Sequence, residues 1–391
     1  MAKKQSKKAV KKIAKEVIKE TKKGNKAAIA LVVVVVIAVI AVGVLYVLRP
    51  DIFSFLNQGQ NDLDKTGNGS LLDNSIHEGD LNIYYIDVGQ GDCIYIQFPD
   101  GKDMLIDCGN ESNSSAQKET TLASLDNYEP DGTIDYLMLT HSDQDHVSYL
   151  DEILGSYQVN NIYMPNIKAG HSSVAEANLD QAKLDLFTDP DEINTKVYAD
   201  FFIAALSEPN CNIYLNIGIF TISGENWKID FFGYTLEEWT AKHLNNAEAK
   251  NAVSPIGILQ YNGKKVVLTG DSNEINEPLA IEKMKSYYGI ESLDCDVLKV
   301  GHHGSETSSV SEFLDFITCE YAVILCGTGN KYAHPREETM ARLRERNMTI
   351  YRTDLQGDIK MVISSSTITF QTAKTASEAE LNVGLAGKSY E

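Results

Sequence analysis

The 391-residue chain carries 55 Asp and Glu against 35 Lys and Arg, a formal charge of −20 at pH 7. Eleven Lys but only two Glu fall in residues 1–26, so the remainder holds 24 basic and 53 acidic side chains, a formal −29. That balance argues against a broad surface for duplex nucleic acid, whose non-specific binding depends on basic residues at phosphates, and six Cys are too sparse for a disulfide scaffold.

From the N-terminus, residues 1–26 read as a cytoplasmic, topogenic and mostly disordered tail whose lysines can meet anionic lipid. Residues 27–48 run 22 positions without a charge and are rich in Val, Ile, Leu and Ala. At about 1.5 Å per residue that run spans a hydrocarbon core of about 30 Å, which predicts a single transmembrane helix with membrane lipid as its partner. A cleaved signal peptide is the rival. The run exceeds an h-region of about 7–15 residues, however, and Tyr46-Val47-Leu48-Arg49-Pro50 offers no small-x-small cleavage site. Lysines before the helix and a nearly solitary Arg49 after it leave the N-terminus in the cytoplasm and put the rest outside the cell membrane. Residues 49–79, rich in Asn, Asp, Gly and Ser, read as a linker.

Residues 80–372 are enough for one large domain, followed by a tail over 373–391. Strand patterns at 82–88, 93–98 and 103–107 alternate with Gly-containing turns and predict an antiparallel start to a sheet. Further strands are predicted at 136–140, 161–164, 227–232, 254–261, 264–269, 297–300, 321–325, 349–352, 359–364 and 367–371. Helices are predicted among them at 277–288, 309–316 and 335–346. This order suits an α/β (α+β) domain in which two sheets pack face to face with helices outside. Residues 167–210 look helical and polar without a strand pattern, and read equally as a lid or as a solvated insertion. Cys93 and Cys108, in apolar strand contexts, read as small core residues, and no C-x-x-C spacing marks a zinc site.

The densest chemistry lies in Thr140-His141-Ser142-Asp143-Gln144-Asp145-His146, which packs four potential metal ligands into six residues after an apolar strand. Imidazole and carboxylate at i, i+2, i+4 and i+5 on a loop leaving a strand can point to two neighbouring positions, as two adjacent metal ions require. Leu268-Thr269-Gly270-Asp271 and Val300-Gly301-His302-His303-Gly304-Ser305 again set ligand-type residues after apolar β-like runs. That is where α/β-type sheets present catalytic groups. The chain also carries Ile86-Asp87-Val88-Gly89-Gln90-Gly91-Asp92, Leu105-Ile106-Asp107-Cys108-Gly109, Asn330-Lys331-Tyr332-Ala333-His334-Pro335 and Thr353-Asp354-Leu355-Gln356-Gly357. In this order, over residues 80–372, the motifs resemble the metallo-β-lactamase superfamily, and more closely the C-terminal hydrolase domain of ComEC/Rec2 competence proteins.

The resemblance implies an αββα metallo-β-lactamase-fold sandwich and hydrolysis by water activated at two divalent metal ions. It assigns His141 and Asp143 to one ion, Asp145 and His146 to the other, Asp271 as the bridge, and His302 or His303 to the second site. Asp145 and His334 take catalytic roles, and Ser305, Thr307, Ser308 and His334 meet the substrate. Asp87 and Asp107 either cap turns or orient a ligand histidine. The common superfamily pattern has His where Asp143 stands and usually another His before the bridging Asp; between His146 and Asp271 the chain offers only His171 and His243, neither in a matching context. A carboxylate in that place shifts preference toward harder ions, so zinc or manganese is expected, with magnesium a further candidate. The leading expectation is a membrane-anchored phosphodiesterase or nuclease acting on DNA or a nucleotide. The alternatives are an envelope phosphoester or other ester hydrolase of the same fold, and a non-catalytic surface binding protein that keeps the fold.

Overall fold

The computed structural model describes residues 72, 77–129, 131–189, 191–241 and 247–385. The lysine-rich tail, the transmembrane run with its lipid contact, most of the linker and His243 lie outside the described residues. Among the described residues no helix is long and apolar enough to cross a membrane.

Alternating apolar positions build two sheets. The first contains β1 (Leu81–Tyr85), β2 (Cys93–Gln97), β3 (Asp103–Cys108), β4 (Thr133–Met138) and β5 (Gln158–Met164). A small pair, β6 (Lys168–Ala169) and β7 (Glu192–Ile193), branches off before β8 (Asn212–Leu215) rejoins the edge. The second sheet contains β9 (Ile219–Ser223), β10 (Trp227–Phe232), β11 (Ile256–Tyr261), β12 (Lys264–Leu268), β13 (Val297–Lys299), β14 (Tyr321–Ile324) and β15 (Thr349–Arg352). The chain then returns to the first sheet through β16 (Ile359–Ser364) and β17 (Thr367–Thr372), giving the order β17-β16-β1-β2-β3-β4-β5-β8. In each sheet an antiparallel half passes into a parallel half, at β3–β4 in the first and β12–β13 in the second.

Period-two packing sorts the side chains between layers. On β1, Leu81, Ile83 and Tyr85 face the space between the sheets, whereas Tyr84 faces the outer helices. Ile94, Ile96 and Met104 of the first sheet meet Ile229, Phe231, Leu259 and Leu268 of the second. Helix Ser115–Tyr128 and helix Lys196–Ser207 contribute to the apolar cluster on the first sheet's outer side. Helices Glu277–Tyr288, Ser311–Ile317 and Glu337–Glu345 cover the second. The result is the expected αββα sandwich. Phe231→Ala, which empties a fully buried ring site between the sheets, is expected to lower the unfolding free energy by about 3–5 kcal/mol in urea titrations.

Residues 167–210 differ from the expectation of a polar, strandless insertion. They contain β6 and β7, and helix Lys196–Ser207 buries Tyr198, Phe201, Phe202 and Ala205. Their second half is core. Cys93 and Cys108 are buried free thiols opposite each other on β2 and β3.

Candidate metal centre

The C-terminal ends of parallel strands from both sheets converge on one site, the usual place for chemistry in α/β sheets. On β3, Cys93 pairs with Cys108 but Ile94 pairs with Ile106, so Asp107 is an extra residue, with φ of 53°. Such a bulge re-aims a side chain. Asp107 Oδ1 accepts from the Thr140 N–H at 2.7 Å, and its Oδ2 accepts from Thr140 Oγ1 at 2.7 Å and meets His146 Nδ1 at 2.8 Å. The loop after β4 is thereby tied to the end of β3.

Two glycines let that loop come close. A Cβ at Gly109 would stand 2.7 Å from the Gln144 carbonyl oxygen, and one at Gly91 would collide with the Asp145 and Gly109 carbonyl oxygens. The Asp92 N–H then donates to the Asp145 carbonyl at 3.0 Å. Helix Gln144–Val147 begins here, with Asp143 at its extended N-cap.

Around Asp271, at the end of β12, the ligand-type atoms converge. His146 Nε2 lies 3.2 Å from Asp271 Oδ1, and His141 Nε2 and His303 Nε2 lie 3.9 and 3.5 Å from Oδ2. His303 Nε2 is also 3.2 Å from Asp145 Oδ2 and 3.3 Å from His146 Nε2. These atoms form four overlapping triads: His141–His146–Asp271, Asp145–His146–His303, Asp92–Asp107–His146 and Asp92–Asp271–His303. The donor set fits divalent cations, and the fully buried His141 Nε2 makes no hydrogen bond of its own.

A sequence model of the Metallo-beta-lactamase superfamily matches residues 86–328. The chain belongs to the metallo-β-lactamase superfamily. It is 25% identical over 295 residues to ComE operon protein 3 of Bacillus subtilis, across 72% of this chain and 33% of that protein. It is 24% identical over 291 residues to Recombination protein 2 of Haemophilus influenzae, across 74% of this chain and 30% of that one. A 98-residue stretch, 25% of this chain and 14% of the relative, is 39% identical to Competence protein ComA of Neisseria gonorrhoeae. The chain thus spans a third or less of the length of these curated relatives, which it resembles in a metallo-β-lactamase domain of the ComEC/Rec2 type.

The ligand set of this metallo-β-lactamase domain is strongly charged. Burial pushes His146 down, but the Asp271 and Asp107 carboxylates outweigh it and hold the imidazole well above its ordinary range. His303, pressed down by burial, is raised to about 10 by Asp271 and Asp92. Without metal these imidazoles carry protons that a cation must displace. His141 and His334 go the other way, to about 3, because burial and neighbouring imidazoles disfavour a second charge.

Not every residue expected at the site joins the cluster. Asp143 lines the adjoining cavity of about 460 Å³, but its carboxylate belongs to none of the four triads. Of the doublet, His303 enters two triads, while His302 Nε2 stands 3.7 Å from Asp271 Oδ2 and faces the cavity. Ser305, Thr307 and His334 line that cavity; Ser308 is buried and does not. Asp87 caps a turn, accepting from the Gly89 N–H at 3.0 Å, with no contact to a ligand histidine. His171 caps the helix that starts at Ser172, through the Ser173 N–H. Among the described residues of 167–210, none lines the cavity.

Several site residues had no sequence signal strong enough to single them out. Asp92 and Lys299 stand inside the cluster, and Glu248, Asn251, Glu306 and Arg336 line the cavity. The nearby Glu277 carboxylate accepts from the Ser309 and Val310 N–H groups at 2.7 and 2.9 Å, bracing the loop after His303. Burial raises it to about 8 despite those donors. Its folded value exceeds the ordinary carboxyl value, so the fold takes up a proton between about pH 4.5 and 8, and stability is lost as pH rises through that window. Glu277→Gln is expected to flatten this slope in urea unfolding at pH 5 and 8; an unchanged slope contradicts the assignment.

Proposed function

We propose that this metal-dependent hydrolase cleaves phosphodiesters, with DNA or a nucleotide as substrate, while held at the outer face of the cell membrane by its N-terminal run. The observation that carries the reading is the nest of buried imidazoles and carboxylates around Asp271 at the floor of a cavity that also holds Arg336, Ser305, Thr307 and His334. Likeness to competence and recombination proteins supports the choice of nucleic-acid chemistry. His141, Asp145, His146, Asp271 and His303 would hold two divalent ions, with manganese or zinc the leading candidates. When bound, such ions supply Lewis acidity toward water and toward the phosphoryl oxygens.

The protein's own groups do the rest. Asp107 fixes the His146 ring so that Nε2, not Nδ1, faces the cluster. Arg336 and the Ser305 and Thr307 hydroxyls offer donors to phosphate oxygens from the cavity wall. His334, neutral in the fold, holds an Nδ1 with no hydrogen-bond partner and offers contact to the leaving group. Asp143, Glu248 and Glu306 make the same wall acidic, which favours a short or single-stranded substrate and keeps a small envelope phosphoester as the second reading.

The test is cleavage of labelled single- and double-stranded DNA and of a small aryl phosphodiester by the full chain with manganese or zinc, using His146→Ala as control. Metal-dependent DNA cleavage that the variant loses supports the reading. Cleavage of the small ester alone moves the assignment to envelope phosphoesters, and no turnover by the metal-loaded protein overturns both.

A further inference from the structure

We infer that the buried ammonium of Lys299 is a resident cation that closes the Asp92 side of the cluster and confines divalent ions to the ligands away from Asp92. The inference rests on the metal-centre reading above. Lys299 ends β13 and has no solvent exposure. Its Nζ lies 2.5 Å from Asp92 Oδ2, donates to the Gly270 carbonyl at 2.8 Å and stands 3.8 Å from Asp271 Oδ1. A buried ammonium persists only when its charge is paired and its protons are bonded. Here the charge is paired with Asp92 and an N–H is bonded to the Gly270 carbonyl, both on one side of the site.

Four triads offer ligand atoms close enough to share a cation, and Asp92 belongs to two of them. With an ammonium on Asp92 Oδ2, a divalent ion at either Asp92 triad would sit against a fixed positive charge in a region shielded from water, where repulsion is strong. The ligand atoms of His141, Asp145, Asp271 and His303 lie in triads that avoid Asp92, and His146, shared by both of those triads, has one free ring nitrogen and would serve a single ion. The Lys299 ammonium already neutralises Asp92, so Asp107, Asp145 and Asp271 are the carboxylates left to face divalent ions.

The test counts manganese bound per chain by equilibrium dialysis of the full chain in mild detergent, with melting curves in chelator and in manganese to verify folding. Wild type is expected to bind two ions. Lys299→Met is expected to bind three, and to gain more thermal protection from manganese than wild type. Asp92→Asn, nearly isosteric, frees the ammonium to lean on Asp271; it is expected to lose one ion or weaken it by about tenfold. The double variant Asp92→Asn/Lys299→Met returns to two. A merely structural lysine predicts loss in both single variants and a gain in neither. A folded Lys299→Met with two ions overturns the inference, and if that variant does not fold, an unchanged count and affinity in Asp92→Asn does so. Wild type without bound manganese overturns the metal-centre reading itself, and this inference with it.

Discussion

Asp271→Asn is expected to abolish stable binding of the second metal ion and to reduce phosphodiester turnover by more than about 10²-fold, since removing even an outer partner of a ligand costs about 10–100-fold. Asp271 is buried, and its two oxygens face His146 on one side and His141 and His303 on the other. One carboxylate thus belongs to one Asp92-free triad and borders the other. The substitution keeps shape and volume, so the sheets beneath should stay packed. It removes the negative charge that raises His146 and His303, which lowers their proton affinity in the metal-free protein. Atomic spectrometry of the purified variant gives the metal count, and initial rates on the aryl phosphodiester give the turnover. Two tightly bound ions in the variant would count against Asp271 as a bridge between them.

The residues that carry this expectation were legible in the sequence because they sit in contiguous motifs at strand ends, and the family resemblance of those motifs implied that they converge. His141, Asp145, His146, Asp271 and His303 meet as those motifs suggested. Asp143 shows the limit of spacing. As the residue before a helix it occupies an N-cap, and its side chain leaves toward the cavity wall while Asp145, inside the helix, turns to His303. Lys299 was read as part of an apolar strand, and nothing in its neighbours tells that it pairs with Asp92 from more than 200 positions earlier. Partners so remote depend on how the two sheets close. Secondary structure divides along the same line. Helix Glu277–Tyr288, expected from its periodic pattern, also has a proline near its start and Gly289 as a left-handed stop. Helix Ser115–Tyr128 lacks any such apolar stripe, burying Thr121 and Ser124 beside Leu125 and Tyr128, and escaped notice. Strands β8 and β9 are short, with alternating exposure, and form the outer edges of their sheets.

The second large effect belongs to a residue that touches no substrate. Asp107→Asn is expected to weaken metal binding by about 10–100-fold while leaving the protein folded. In the wild type, Oδ1 and Oδ2 both accept from Thr140, and Oδ2 also holds His146 Nδ1 at 2.8 Å, which requires the ring proton on Nδ1. Once a cation displaces the second ring proton, the Nε2 lone pair is the one that faces Asp271 and His303. An asparagine retains one acceptor oxygen, and satisfying the Thr140 N–H and hydroxyl sets its amide nitrogen against two demands at once. Where that NH₂ faces His146, the ring must accept at Nδ1 and carry its proton on Nε2, blocking the ligand position. The left-handed backbone at Asp107 suits asparagine as well as aspartate, so backbone strain adds nothing. Asp87→Asn is the matched control: it changes a carboxylate in a neighbouring loop that accepts from the Gly89 N–H, and should leave affinity within about twofold of wild type. Calorimetric titration with manganese distinguishes the cases, because tautomer loss also reduces the protons released on binding, which buffers of different ionisation enthalpy report. Equal affinities for Asp107→Asn and wild type would reduce the bulge on β3 to a structural turn.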